Sequence, residues 1–174
     1  MLPLAFLACS LTVALGAPLP SEEGPSSEGY LVWPPPKEIA ATGPARMLHP
    51  DFTISHTHQS EILTASVARF QALATAAAAQ VTPTPNALAE LRIVLVGEPS
   101  EELSIDTLYN YTLEIADEGV ATVTASSVFG AAYAMESFIQ LLDEGAGAVV
   151  RSSVQIRDAP DFAWRGLMID SGRR

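Results

Sequence analysis

Residues 111–142, YTLEIADEGVATVTASSVFGAAYAMESFIQLL, combine two strand patterns, a turn and a helix pattern. Apolar and polar side chains alternate over residues 111–115 and again over residues 120–124, as in strands with one buried face. Gly119 lies between the two runs, where a hairpin turn requires a positive φ. Over residues 127–143 apolar side chains recur at spacings of three and four, which predicts a helix. The stretch therefore predicts a hairpin followed by an amphipathic helix.

The sequence on both sides continues the alternation of strand and helix patterns. Residues 52–54 and 91–96 are strand candidates, and residues 60–79 predict a helix with Ser60 as its N-cap. Residues 150–156 alternate again and predict a last strand. We summarise the order as β-α-β-β-α-β, which is an α/β sandwich with two helices packed on one sheet.

The first 16 residues have the composition of a secretory signal peptide. Residues 2–14 are almost wholly apolar and uncharged, and small residues follow at the expected cleavage site, which we place after Gly16. An apolar core of this length is too short to span a bilayer, which takes about 20 residues. A buried N-terminal helix is the alternative interpretation. Residues 17–30 are rich in Pro, Ser, Glu and Gly and predict a flexible leader.

The charge and the cysteine content exclude several classes of function. The 174-residue chain has a formal net charge of -11, so nucleic acid and anionic lipid would both repel it. We expect no nucleic-acid partner, and no membrane contact once the signal peptide is removed. The single cysteine, Cys9, lies within the predicted signal peptide. The rest of the sequence therefore offers no disulfide framework, no cysteine nucleophile and no cysteine-ligated zinc site.

The last 17 residues, DAPDFAWRGLMIDSGRR at 158–174, differ in character from the predicted sandwich. Residues 158–164 read as a connector, and residues 166–169 predict a short buried strand that Asp170 ends. Arg173 follows in a loop. A buried strand without a partner in the predicted order indicates the first strand of a second domain.

This C-terminal stretch resembles the opening of the catalytic barrel of family-20 glycoside hydrolases, the β-N-acetylhexosaminidases. The pattern Arg-Gly-Leu-Met-Ile-Asp-x-x-Arg at 165–173 carries most of the resemblance. Upstream segments are similar in the same order: VWPPPKEI at 32–39, YNYTLEI at 109–115 and SSVFGAAYAMESFIQLL at 126–142. The sequence departs from the family pattern at Phe129, where tryptophan is common, and at Arg174, where histidine is usual.

The resemblance implies a division of the chain and a whole-protein activity. Residues 31–157 would be a non-catalytic, zincin-like α/β domain, and residues 158–174 the truncated start of a (β/α)8 TIM barrel. The whole enzyme would be a secretory-pathway hexosaminidase, extracellular or lysosomal or vacuolar, without a cofactor. Its partner would be a glycan with a terminal N-acetylglucosamine or N-acetylgalactosamine. Family members are commonly dimers, which makes a homodimer of the full-length protein an option.

The resemblance also implies a reaction that needs residues outside this chain. The substrate's own acetamido oxygen acts as the nucleophile in this family. A glutamic acid protonates the leaving oxygen, and an adjacent aspartate orients the acetamido group. Asp117-Glu118 falls in the predicted turn and Asp143-Glu144 at a helix end, so neither pair fits these roles. We therefore expect no catalytic residue in this chain and no turnover by the fragment itself.

Arg173 is the residue to which the resemblance assigns substrate binding. It follows the C-terminal end of the expected barrel strand, the side on which barrel enzymes place their sites. Its guanidinium can donate two parallel hydrogen bonds to adjacent sugar hydroxyls. Asp170 would support Arg173 or the barrel rim, and Arg165 would lie on the opposite, stabilising side. A purely structural surface role for Arg173 is the alternative.

Two further groups carry other kinds of chemistry. Asn110-Tyr111-Thr112 is an N-glycosylation sequon, which is usable if the chain is secreted. His49, His56 and His58 lie near one another in the sequence, but no further ligand has a fitting spacing. We therefore predict no metal site.

A hypothesis from a different class is a secreted, non-catalytic α/β domain that acts as a binding or packing module. A complete α/β domain without a catalytic pair favours it. The predicted strand at residues 166–169 opposes it, because Leu167, Met168 and Ile169 would have no core to join.

Overall fold

A computed structural model describes residues 32–79, 81–82, 84–97, 101–116, 119–143, 148–149 and 151–172. The predicted signal peptide and leader, residues 1–30, lie outside these ranges. Over the described residues the chain forms seven strands and two helices. The strands are β1 (Glu38–Thr42), β2 (Arg46–His56), β3 (Leu88–Leu95), β4 (Tyr111–Ile115), β5 (Val120–Ala125), β6 (Ala148–Val149) and β7 (Ser153–Asp158), and the helices are α1 (Glu61–Ala78) and α2 (Val128–Gln140).

The described strands form one mixed sheet in the order β1-β7-β4-β5-β3-β2-β6. β2, β3 and β5 run parallel to one another, and the other pairs are antiparallel. α1 supplies the crossover that the parallel pair β2 and β3 requires. After α2 the chain adds β6 beside β2 and then β7 between β1 and β4. The mixed sheet with two helices confirms the predicted α/β class.

The stretch at residues 111–142 forms the predicted hairpin and helix. Tyr111, Leu113 and Ile115 of β4 are buried, which is the alternation that the sequence predicted. Gly119 has a φ of 76°, a conformation that costs glycine little. Its carbonyl accepts the N–H of Ala89 at 2.8 Å. This bond ties the end of the hairpin to β3.

Both helices are preceded by a serine whose side chain caps the first turn. Ser60 Oγ accepts the N–H of Leu63 at 2.9 Å, and Ser127 Oγ accepts the N–H of Gly130 at 3.0 Å. Such a cap contributes about 1 kcal/mol to stability. The Ser60 cap is confirmed as predicted. In the part of the chain that the structure describes, no helix combines the length and the apolar character needed to cross a membrane.

The core lies between the helices and one face of the sheet. Phe52 of β2 stacks on Phe138 of α2 with ring centroids 5.6 Å apart, and both rings are buried. Full burial of an apolar side chain of this kind contributes about 1.5–3 kcal/mol. The largest other fully buried side chains come from both helices and from the sheet: Phe70, Leu48, Leu63, Leu88, Leu91, Leu113, Ile115, Met135, Leu141, Ile156 and Val123.

The sheet has more strands than the order β-α-β-β-α-β contains. Three described strands lie between the helices, each at a predicted strand pattern, whereas the summarised order counts only two there. Neither β1 nor β6 was predicted. β2 spans Arg46–His56, whereas the prediction covered only residues 52–54. β1 has no clear alternation and forms because β7 lies beside it, with Glu38 opposite Arg157. Such pairing depends on distant residues, which a local pattern does not reveal.

The predicted strand at residues 166–169 does not form, which corrects this part of the predicted fold. These residues have no strand hydrogen bonding, and Leu167, Met168 and Ile169 are 86%, 90% and 80% exposed. A strand needs a neighbour to pair its backbone N–H and C=O groups. Among the described residues no strand lies beside this segment.

Gly130→Ala is expected to destabilise the domain. In an exposed helix interior, replacing glycine by alanine stabilises the helix by about 1 kcal/mol. Here a Cβ would lie 3.0 Å from the carbonyl oxygen of Asn110 and 3.2 Å from the carbonyl carbon of Tyr109. Because backbone must move to accommodate the methyl group, we expect a net loss of about 1–3 kcal/mol. Urea unfolding measures it, and a variant more stable than the wild type would contradict this account of the helix contact.

Candidate functional site

The connector after β7 is fastened to the α/β domain at two points. Lys37 Nζ lies 2.8 Å from Asp161 Oδ1. The hydrogen bond and the charge of Asp161 raise the pKa of Lys37. Further along, the Arg165 guanidinium lies 4.6 Å from the ring centroid of Tyr109, a cation–π contact. Arg165 also donates to the carbonyl of Phe162 at 2.7 Å. The connector therefore follows the surface of the domain.

The residues predicted to bind substrate lie at the end of this segment. Asp170 is exposed, and its Oδ1 accepts the N–H of Gly172 at 3.0 Å, which forms a local turn. Arg173 lies outside the described residues, so its role in sugar binding stays a prediction. Asp117-Glu118 and Glu144 lie outside them as well.

The sequon asparagine occupies an accessible position. Asn110 is exposed and immediately precedes β4. Its Nδ2 donates to Ser126 Oγ at 2.9 Å, and its carbonyl accepts the N–H of Ser126 at 3.4 Å. The side-chain amide is therefore held at the surface by one exposed hydrogen bond.

The histidines make local contacts. His49 Nδ1 accepts the N–H of Asp51 at 3.1 Å, and His56 Nδ1 lies 2.9 Å from the carbonyl oxygen of His58. Over the described ranges, no three side chains of His, Cys, Asp or Glu come close enough to hold a metal ion.

The face of the sheet opposite the helices carries a small polar cluster. Ser55 donates to Glu90 Oε1 at 2.5 Å, and Arg92 donates to Glu90 Oε2 at 2.8 Å. These contacts, the Ser55 hydrogen bond first, lower the pKa of Glu90. The polar groups of the cluster are paired with one another and lie on the outer surface of the sheet. This arrangement is typical of a sheet face that is exposed to solvent.

Sequence reasoning missed a groove of about 540 Å³ between the N-terminal segment, α2 and the connector. At its floor the hydroxyl groups of Tyr111 and Ser137 are buried and lie 2.6 Å apart. Its walls include Trp33, Tyr133 and Phe162. The sequence pattern that could have indicated the groove is on α2. There the residues that line the groove recur at helical spacing: Tyr133, Glu136, Ser137 and Gln140. The other contributions come from distant segments.

Tyr111→Phe tests the buried hydroxyl pair at the floor of the groove. Burial raises the pKa of Tyr111 to about 12. The unfolded value is about 10, so the folded state favours the neutral phenol. The stability that the neutral Tyr111 phenol contributes to the folded state is complete below about pH 10. It is lost as the pH rises toward 12. The variant lacks this alkaline component, and at neutral pH we expect its stability to fall by about 1–2 kcal/mol because the hydrogen bond with the Ser137 hydroxyl is removed.

Urea unfolding at pH 7 and across pH 9–12 measures both effects of Tyr111→Phe. Tyr133→Phe is the matched control, because that ring is 51% exposed and its substitution is expected to change stability by less than about 0.5 kcal/mol. Identical alkaline unfolding of wild type and Tyr111→Phe would contradict the assignment.

Several proteins with sequences similar to this chain are described as hexosaminidases. A protein-family model described as beta-acetyl hexosaminidase like matches residues 32–141. Beta-hexosaminidase 1 of Arabidopsis thaliana is 29% identical over 195 residues, covering 98% of this chain and 35% of that protein. The beta-hexosaminidase of Emericella nidulans is 39% identical over 67 residues, covering 37% of this chain and 11% of that protein. The chain thus spans only 35% or less of these relatives.

Solved structures of related enzymes share the fold. A chitobiase from Flavobacterium johnsoniae matches 82% of this chain and 22% of its own, with a TM-score of 0.63 and 22% identity. An N-acetyl-β-hexosaminidase from Streptomyces plicatus matches 78% of this chain and 27% of its own, with a TM-score of 0.56 and 20% identity. With the family model, these matches show that the chain belongs to the β-acetyl-hexosaminidase-like family and has the N-terminal α/β domain of family-20 glycoside hydrolases.

Proposed function

We propose that this chain is the N-terminal part of an exo-β-N-acetylhexosaminidase of the secretory pathway. The whole enzyme removes terminal N-acetylglucosamine or N-acetylgalactosamine from glycans by substrate-assisted, retaining catalysis. The observation that carries the proposal is the family match over residues 32–141. The apolar segment at residues 2–14 supports entry into the secretory pathway, with delivery to the exterior or to a lysosome or vacuole.

The proposed division of the chain is supported, at its C-terminal boundary, by the position at which the sheet ends. Residues 1–16 are the signal peptide, residues 17–30 a leader, residues 31–157 a zincin-like, non-catalytic domain, and residues 158–174 the start of a (β/α)8 barrel. The last strand of the sheet ends at Asp158. Beyond it a run of large apolar side chains is exposed: Phe162, Trp164, Leu167, Met168 and Ile169. An apolar run of this kind calls for a covering surface, which the remaining barrel would supply.

The proposed chemistry gives this chain a binding role rather than a catalytic one. In the barrel, Arg173 would hold hydroxyl groups of the terminal sugar at the C-terminal end of the first strand, supported by Asp170. The general acid and its neighbouring aspartate would come from the later barrel. A homodimer of the full-length enzyme fits the proposal.

Arg173→Lys is expected to lower kcat/KM about 10–100-fold in a protein that extends this chain through a complete barrel. The reason is that an ammonium group cannot donate two parallel bonds to neighbouring hydroxyls. Hydrolysis of an aryl N-acetylglucosaminide measures it, and Arg174→Lys is the control that keeps its activity. The unextended chain should have no turnover. Hydrolysis by that chain above background, or an unaffected Arg173→Lys, would contradict this assignment.

Secretion predicts that Asn110 carries an N-linked glycan. Expression in a eukaryotic secreting host should give a chain whose mass falls after endoglycosidase treatment. Thr112→Ala should abolish the mass difference because the sequon requires Ser or Thr at that position. Thr112→Ser is the matched control, because it changes the same strand residue and keeps the sequon. A chain retained inside the cell without a glycan would argue against the secretory assignment.

The alternative is a secreted α/β module without chemistry. Its support is a core that closes within the described residues up to Asp158. If the extended protein hydrolyses no N-acetylhexosaminide, this alternative replaces the proposal.

A further inference from the structure

The α/β domain carries three aromatic rings in mutual contact beside the start of α2, which we call the three-ring cluster. The centroid of the Tyr109 ring lies 6.2 Å from that of Phe129 and 5.8 Å from that of Tyr133. The first contact is tilted and the second is edge-on, and aromatic pairs favour such geometries over a face-to-face arrangement. Phe129 in turn packs against the core. Side-chain contacts within the domain therefore set the position of the Tyr109 ring.

The backbone at Tyr109 is also held against the start of α2. The hydroxyl group of Ser127 donates to the carbonyl of Leu108. At Gly130 the helix has no side chain, which allows the carbonyl of Tyr109 to lie close to it. These contacts all come from the domain itself, so the three-ring cluster does not depend on the connector for its shape. A group that binds to a preformed site of this kind loses less free energy in ordering it.

The guanidinium of Arg165 occupies the face of the Tyr109 ring, 4.6 Å from the centroid. Its Nη1 donates to the carbonyl of Phe162 at 2.7 Å, which orients the group. A guanidinium is planar and weakly hydrated, so it leaves water for an aromatic face more readily than an ammonium group does. The three-ring cluster is thus suited to a guanidinium, and its occupant is a residue of the same chain.

A second contact, which precedes Arg165 in the connector, fixes the direction of the segment. Asp161 Oδ1 lies 2.8 Å from Lys37 Nζ. The connector therefore presents an anion and then a cation, and the domain offers a cation and then the negative face of an aromatic ring. An exposed ion pair contributes little by itself. Together with the Arg165 contact, it selects one direction and one register for the connector on the domain.

We propose that the three-ring cluster is a docking site for the Arg165 guanidinium, through which the α/β domain holds the start of the first barrel strand. Residues 166–169, which the proposed function assigns to that strand, begin directly after Arg165. They have no strand pairing among the described residues, so the docked guanidinium keeps their start at one place on the domain. The domain then serves as a base on which the barrel is seated. This last step rests on the proposed function, whereas the docking of Arg165 does not.

Trypsin cleavage of the purified chain after Arg165 tests the docking site. The protease must take the Arg165 side chain into its own pocket, so cleavage reports how often that side chain leaves Tyr109. Tyr109→Leu removes the ring and is expected to speed this cleavage about two- to fivefold. Tyr109→Phe is the matched control, because it keeps the ring and should be cleaved like the wild type. Mass spectrometry of the products gives the rates.

Cleavage after Arg69, which lies in α1, is the internal control for unfolding of the domain. Its rate should be the same in the wild type and in both variants. Equal rates of cleavage after Arg165 in the wild type and in Tyr109→Leu would overturn the docking site.

NMR of the wild-type chain tests the same contact without relying on a variant of Tyr109. Protons above the face of an aromatic ring are shifted upfield, so the side-chain signals of Arg165 should lie upfield of those of a free arginine. Arg165→Lys identifies these signals by their loss. Unshifted Arg165 signals would overturn the docking site whatever the cleavage rates.

Thermal inactivation tests the seating of the barrel in a protein that extends this chain through a complete barrel. Tyr109→Leu should shorten the half-life of hydrolysis on heating about twofold or more relative to Tyr109→Phe. Both variants should keep the kcat/KM of the extended protein, because Tyr109 belongs to the α/β domain and not to the proposed sugar site. Equal half-lives would overturn the role of the domain as a base for the barrel. An extended protein without hydrolysis would instead contradict the proposed function, and cleavage of the unextended chain would still decide the docking of Arg165.

Discussion

The packing of α2 on the centre of the sheet is the interaction on which the rest of the structure depends. Phe138 stacks on Phe52 across the core. At the other end of the helix, Gly130 leaves room for the backbone of Asn110 and Tyr109, which a methyl group would approach to 3.0–3.2 Å. With both ends held, α2 has one position and one rotation on the sheet. Its outer side then presents Tyr133, with the groove-lining polar residues of the helix, in fixed places.

The parts of the fold that the sequence predicts are those in which neighbours in sequence are neighbours in space. Alternation predicted β4 and β5, Gly119 predicted the turn between them, and helical spacing with Ser60 as a cap predicted α1. The strand order was not predictable in this way, because β7 pairs with both β1 and β4 across large sequence separations. The free energy of such pairing depends on residues that are far apart in the sequence, so a pattern of neighbouring residues does not reveal it.

The candidate sites show the same limit. The groove joins Trp33 to Gln140, which are 107 positions apart, and Lys37 to Asp158, which are 121 positions apart. In the sequence, each of these residues resembles an ordinary surface residue. Only the folded sheet brings the four residues to one concave surface. Asn110 could be singled out from three consecutive residues. Arg173 could be assigned only through resemblance, because its proposed function needs a barrel that surrounds it.

Two short segments show which factor decides whether a strand forms. Residues 166–169, Gly-Leu-Met-Ile, are strongly apolar and yet form no strand, whereas β1, Glu-Ile-Ala-Ala-Thr, is weakly patterned and does. The difference lies in the neighbour. β7 offers β1 its free edge, from Glu38 opposite Arg157 to Thr42 opposite Ser153. A backbone that pairs gains its hydrogen bonds, and one without a neighbour gains nothing over its bonds to water. The apolar side chains at 167–169 therefore stay exposed until another strand, such as one from the proposed barrel, lies beside them.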